Sequence, residues 1–346
     1  MSSSKATDDK AAPKHLSAHS KTTQILSLIG LIVASFAVSS AAVFFKLLPD
    51  ISFLTKSYWR LLLTACLQSL ILITLIIRDG FNKTSFLLLL QHYKLIILDG
   101  LMLALHFAWW VWSLDLTSVT RSLLLVSSSP VIIVLYNVVK RRPLHGFEII
   151  GAIVSALGVG IMCFGMEEGS GGSLAGDGLA FLASIAIVVY MEIGRKLRSE
   201  CGIPAYYFIT PVHYIAAFIT LLLAMCFAQE SGFVLYLGFL EEEYFLIVLV
   251  LAIGPGILGH TMVNVLLKYV PPLVVSVFLN LEPVWGTILA IAMGMDSGLT
   301  LFTLVGGTVM LGGIMFVLYG GALREREEHL TIEEREPLLT EKPTAQ

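Results

Sequence analysis

The residues that could do chemistry lie in the most apolar parts of the chain. The stretch 274–293, VVSVFLNLEPVWGTILAIAM, is about twenty residues long, enough to cross a bilayer as one helix. It carries Asn280, Glu282 and Pro283 near its centre. A carboxylate at mid-membrane costs ~2.5–3.5 kcal/mol on insertion scales, and proline removes a backbone hydrogen bond at the same depth. Both are tolerated where a helix is covered by protein or lines a watery cavity. Ser276, Asn280, Pro283 and Thr287 form one polar stripe, and Glu282 lies about 120° around the helix from it. Glu282 reads either as a proton site or as a structural carboxylate that accepts hydrogen bonds from its neighbours.

Three further stretches carry polar groups at depth. In LDGLMLALHFAWWVWSLDLTS, Met102, His106, Trp109, Trp110 and Ser113 share a helix face that could stack on and hydrogen-bond an organic solute, or serve as a packed interface. In AIGPGILGHTMVNVLLKYV, Gly254, Pro255 and Gly256 should weaken the helix and act as a hinge. His260 and Asn264 follow, one turn apart on one face, as cavity residues or as buried polar glue. Arg60 follows Tyr58 and Trp59 one turn into another apolar segment. It reads as snorkelling to the interface with the aromatics as anchors, or as attracting an anionic solute.

These stretches need a membrane bundle to hold them. The chain is 56% hydrophobic and only 14% charged, far below the roughly one-quarter charged of soluble domains, which makes it a polytopic membrane protein. Ten apolar segments are long enough to span, near 24–45, 57–77, 95–114, 119–139, 147–166, 174–194, 205–228, 244–267, 272–294 and 299–320. A short helix lying on the membrane surface is expected between 229 and 243. With the N-terminus in the cytosol, 18 of the 22 basic residues fall on the cytosolic side, so both termini are expected there. The four cysteines lack metal or disulfide spacing, and no nucleotide loop, hydrolase motif or nucleic-acid groove is present. No cofactor and no enzymatic activity are expected.

A shift of 153 residues superposes Pro130 on Pro283, Ser127 on Asn280, Arg60 on His213 and Gly160-Ile161-Met162 on Gly313-Ile314-Met315. Two five-helix halves with such a repeat are inverted with respect to each other, which puts a site at their interface near mid-membrane. The expected organisation is a disordered cytosolic tail over 1–23, a first repeat over 24–166, a second over 174–320 and a charged cytosolic tail over 321–346. Within that tail Glu334, Leu338 and Leu339 resemble an acidic dileucine sorting signal, which would direct the protein to endosomal or lysosomal membranes through sorting adaptors; otherwise the plasma membrane is expected.

The stretch LDGLMLALHFAWWVWSLDLTSVTRSLLLVSSSPV resembles the first-repeat pattern of the EamA branch of the drug/metabolite transporter superfamily. IGPGILGHTMVNVLLKYVPPLVVSVFLNLEPVWGTILAIAMG is similar to its second-repeat counterpart, with Glu282-Pro283 matching its EP dipeptide and Tyr58-Trp59-Arg60 its second-helix arginine motif. Gly294-Met295-Asp296 departs from the family's acidic pair after the ninth helix. The resemblance implies ten helices, two inverted repeats and alternating access around a central cavity. The expected function is secondary transport of a small organic solute across the lipid bilayer. His106, Trp110, His260, Asn264 and Asn280 would contact the solute, and Glu282 and Pro283 would support helix nine or carry a proton. The alternative is a non-transporting membrane scaffold acting through its charged tail.

Overall fold

The structure is a computed structural model that describes residues 21–141, 143–164, 173–266, 278–295 and 300–340, and all its regular elements are helical. They are α1 (Lys21–Lys46), α2 (Phe53–Asp79), α3 (Lys83–Gln91), α4 (Tyr93–Leu116), α5 (Val119–Val126), α6 (Ser129–Val139) and α7 (Gly146–Phe164). Then follow α8 (Leu174–Arg195), α9 (Ala205–Phe227), α10 (Gly232–Leu237), α11 (Glu242–Leu251), a π-helical stretch (Ala252–Thr261), α12 (Met262–Leu266), α13 (Glu282–Ala292) and α14 (Leu301–Thr340). Among the described residues, eight helices are long and apolar enough to cross a membrane, and Gly146–Ile161 and Glu282–Ala292 are shorter apolar helices. Those two fall within the segments expected at 147–166 and 272–294, whose remaining residues lie partly outside the described ones.

Serine, asparagine and proline set the boundaries. Ser52, Asn82, Ser118 and Ser173 each accept a hydrogen bond from a backbone N–H three residues on, capping α2, α3, α5 and α8. The span expected as one helix over 119–139 is broken at Ser127 and Ser128. Pro130 is the second residue of α6, where its missing N–H is harmless, and at the break the Leu125 carbonyl accepts from both the backbone N–H and the Oγ of Ser128 (3.1 and 2.6 Å). Pro283 holds the same place in α13, after turn residues Asn280 and Leu281. The offset of 153 residues thus recurs as a shared local geometry.

The last helices of the two halves clamp together. A Cβ at Gly151 of α7 would lie 2.5 Å from the Gly313 carbonyl of α14, and one at Gly158 would lie 2.5 Å from the Met310 nitrogen. Small residues are what allow such close backbone approach in lipid, where apolar packing has no water to escape. At the N-terminal face of this pair, Arg324 donates to both oxygens of buried Glu148 (3.0 and 3.3 Å).

The short helix expected between 229 and 243 is present as α10, and it packs on α2; the reading of Arg60 changes with it. Leu235 and Phe239 are buried, the Leu235 carbonyl accepts from Trp59 Nε1 (3.1 Å), and Phe239 and Tyr244 pack around the Trp59 ring. With that cover, Arg60 is 2% exposed and does not snorkel, and Tyr58 and Trp59 are core residues rather than interface anchors. The charged tail continues α14 to Thr340. Its Leu-, Glu- and Arg-rich sequence extends an existing helix and so avoids the cost of nucleation.

Candidate functional site

Arg60 is the centre of the buried polar cluster. Its guanidinium carbon lies 4.1 Å from the centroid of the Phe107 ring and 5.7 Å from that of Phe45. Such contacts stabilise a desolvated cation by about 2 kcal/mol, well short of its dehydration cost. Nη1 is buried and has no hydrogen-bond partner among the described residues. The charge of Arg60 reaches Glu282 on α13, His106 on α4, His213 on α9 and His260 in the π-helical stretch. Arg60 and His213, counterparts under the 153-residue offset, therefore share one field.

Around it α4 supplies an aromatic wall. His106 Nδ1 is 2.9 Å from the Ala183 carbonyl of α8, and its ring stacks on Trp110 at 5.9 Å between centroids. Trp110 meets Phe45 edge-on, and its Nε1 is buried without a partner. Two buried donors on two helices, α2 and α4, thus lack acceptors.

The second half of the chain contributes residues that are only half-buried. His260, Asn280 and Glu282 each keep some accessible surface, in contrast to His106, Trp110 and Arg60. Pro283 is buried behind Glu282. Gly254, Pro255 and Gly256 lie in the π-helical stretch, where Thr261 Oγ1 donates to the Gly256 carbonyl five residues earlier (2.9 Å). A Cβ at Gly256 would fall 2.6 Å from Thr64 Oγ1, so this glycine sets how closely the stretch approaches α2. Asn264 is on α12, its side chain outside the described residues; so is Ser276 of the polar stripe. Thr287 does pair, donating to Thr120 Oγ1 (3.0 Å). Glu334, Leu338 and Leu339 lie on α14, far along the chain from this cluster and with side chains outside the description.

Arg60 was singled out from sequence, but its companions Thr64 and Gln68 were not. Arg60, Thr64 and Gln68 repeat every four residues on α2, and each has a buried polar atom without a partner. Gln68 Nε2 donates to Thr261 Oγ1 (3.2 Å), tying the far end of this ladder to the π-helical stretch. The spacing was visible in YWRLLLTACLQ as a polar stripe on an apolar helix.

One face of the bundle, opposite the N-terminus, is tied by charge. Lys56 on α2 donates to Asp115 on α4 (2.9 Å), and buried Arg121 on α5 pairs with buried Asp177 on α8. Glu230, after α9, accepts from the Ser52 backbone N–H and the Thr55 hydroxyl. Burial alone would raise the Glu230 carboxyl, but these hydrogen bonds outweigh it and hold it below the usual range. Separately, a groove of about 580 Å³ among Phe36, Val43, Gly254, Leu258, Trp285 and Leu289 is almost wholly apolar. Its described lining is apolar apart from Ser40 and Trp285, so the more polar Arg60 cluster is the candidate site.

Comparisons with known proteins agree with this architecture. Twenty-seven chains of solved structures match. One, titled simply a crystal structure of a protein, has a TM-score of 0.55 at 14% identity, covering 86% of this chain and 96% of its own, a likeness of fold alone. No curated protein matches. The EamA-like transporter family matches twice, over residues 25–164 and 174–319, which together make up most of the chain. This is a multi-pass membrane protein of the drug/metabolite transporter superfamily, and the chain belongs to the EamA-like transporter family.

Proposed function

We propose that the protein is a secondary transporter that moves a small organic solute by alternating access between two inverted five-helix repeats, ten spans in all. The observation that carries this reading is the pair of buried donors without acceptors, Arg60 Nη1 and Trp110 Nε1, beside stacked aromatic rings. A buried donor left unpaired costs about 1–3 kcal/mol, more when charged, and a solute bearing an acceptor removes that cost on binding. Arg60 attracts an anionic group of the solute, and His106 and Trp110 stack on its organic part. His260, Asn264 and Asn280 contact it from the second repeat. Glu282 stays in the field of Arg60 and supports the start of α13.

The glycines and proline of the π-helical stretch let it bend as the repeats rock. Ion pairs on the face opposite the N-terminus close that face in the conformation described here, and water reaches the site from the N-terminal side when the repeats rock. The lysine and arginine asymmetry makes that side cytosolic, and a dileucine motif on α14 would there meet sorting adaptors of endosomal or lysosomal membranes.

The test is efflux from proteoliposomes loaded with a mixture of unlabelled amino acids and carboxylates, read by mass spectrometry. The reading expects one class of solute to leave faster than from empty liposomes, and expects that flux to vanish in the triple variant H106A/H260A/N280A. Flux that survives the triple variant contradicts the site. A chain that moves none of these solutes but loses co-purifying partners when α14 is truncated is a scaffold instead.

A further inference from the structure

α4 and α8 run antiparallel, and the contact between His106 Nδ1 and the Ala183 carbonyl fixes how they face each other. Seven residues back along α4 is Asp99, and seven forward along α8 is Tyr190. Seven residues are close to two turns, so both remain on the faces that meet at His106, about 10 Å nearer the N-terminal face. Asp99 is fully buried, and neither of its carboxyl oxygens has a hydrogen-bond partner among the described residues. A carboxylate cannot persist at such a position without a donor or a cation; it takes up a proton instead.

Two further polar groups follow on the same side, toward the N-terminal face. Tyr190 lies in the field of Asp99, and Arg198, three residues beyond the end of α8, lies in the field of Tyr190. From α9, Ile215 and the Val212 carbonyl cover the adjacent Gly100; of the two ionisable groups between them, His213 couples to Arg60 and Tyr214 shares a hydrogen bond with Ser69. From α2, the charge of Arg60 is directed at Glu282 and the three histidines. The pairs Lys56–Asp115 and Arg121–Asp177 sit at the other ends of α4 and α8. Asp99 therefore stands between the solute site and the N-terminal face, with a hydroxyl and then a cation leading outward.

We propose that Asp99 is the proton-binding site that couples solute movement to a proton gradient. This rests on the transporter reading. In the conformation described here its carboxyl holds the proton. When the repeats rock and water enters along Tyr190, the O–H bond breaks and the proton passes to bulk water on the N-terminal face. The carboxylate left behind is stabilised by that water. Reprotonation takes place once the repeats have rocked the other way and admit water from the opposite face, so one proton crosses with each productive cycle.

The experiment combines two readouts on the full chain. Difference infrared titration in nanodiscs follows the C=O stretch of protonated carboxyls in wild type, D99N and E282Q, and in wild type carrying ¹³C-labelled aspartate. The proposal expects a band at neutral pH that is lost in D99N, kept in E282Q and shifted by the aspartate label; the label needs no variant to fold. A band absent from wild type, or unmoved by both D99N and the label, overturns it. Proteoliposomes loaded with the amino-acid and carboxylate mixture and with pyranine then report protons under clamped potential. Wild type is expected to move protons with solute, and D99N to exchange solute without net proton movement. D99N that still moves protons with solute overturns the coupling role. An aspartate band with no solute flux in any variant counts against the transporter reading and leaves the proton on Asp99 standing.

Discussion

The guanidinium of Arg60 rests 4.1 Å from the centroid of Phe107, and one of its nitrogens has no acceptor among the described residues. The aromatic contact holds the cation in place while leaving a donor for something else. Replacing Arg60 with alanine removes that donor and is expected to weaken solute binding by about 2 kcal/mol, roughly 30-fold. R60K keeps the charge but not the planar fork, and should recover only part of the loss. The dependence of efflux on solute concentration in proteoliposomes measures both.

Gly151 and Gly313 bring α7 and α14 into backbone contact. G151L should destabilise the fold by about 1–3 kcal/mol, because a side chain would meet backbone that cannot yield. G160A, on the same helix, is expected to be neutral or slightly stabilising, since a Cβ there meets nothing within 4 Å. Thermal melting of the two variants in nanodiscs separates the close contact from a general effect of removing glycine.

Arg121 and Asp177 are both buried, so breaking their pair strands a charge. D177N is expected to cost about 3–5 kcal/mol, whereas the apolar pair R121M/D177L should regain most of it. Melting temperatures of the single and double variants form the check.

Glu230 stabilises the start of α2 only while ionised. Its carboxyl is held below the usual range, so its contribution is fully present above the ordinary glutamate pKa of about 4.3 and is lost as pH falls through the lower folded value. E230Q should melt below wild type at neutral pH, and the difference should close on acidification. A gap that stays constant with pH would show that Glu230 acts through shape alone.

The spans were legible in sequence because about twenty apolar residues have few other uses, and the proline offset between Pro130 and Pro283 carried through to matching helix starts. The fate of Arg60 was not legible. A cation one turn inside a span snorkels unless something covers the end of the helix, and the cover, Leu235 and Phe239, is about 175 residues away in sequence. Thr64 and Gln68 follow Arg60 at helical spacing and could have been read as one stripe. Asp99 was passed over because it lies near a helix end, where a carboxylate ordinarily reaches water; its burial depends on how α4 packs against α8.

Access to the Arg60 cluster from each face in turn is the central claim. Single cysteines at positions 106, 260 and 280, in a chain whose own four cysteines are replaced by serine, can be probed with a membrane-impermeant thiol reagent in right-side-out and inverted vesicles. The account predicts labelling from both faces, reduced when the transported solute is present. Cysteines at all three positions that stay unreactive from both faces would contradict it.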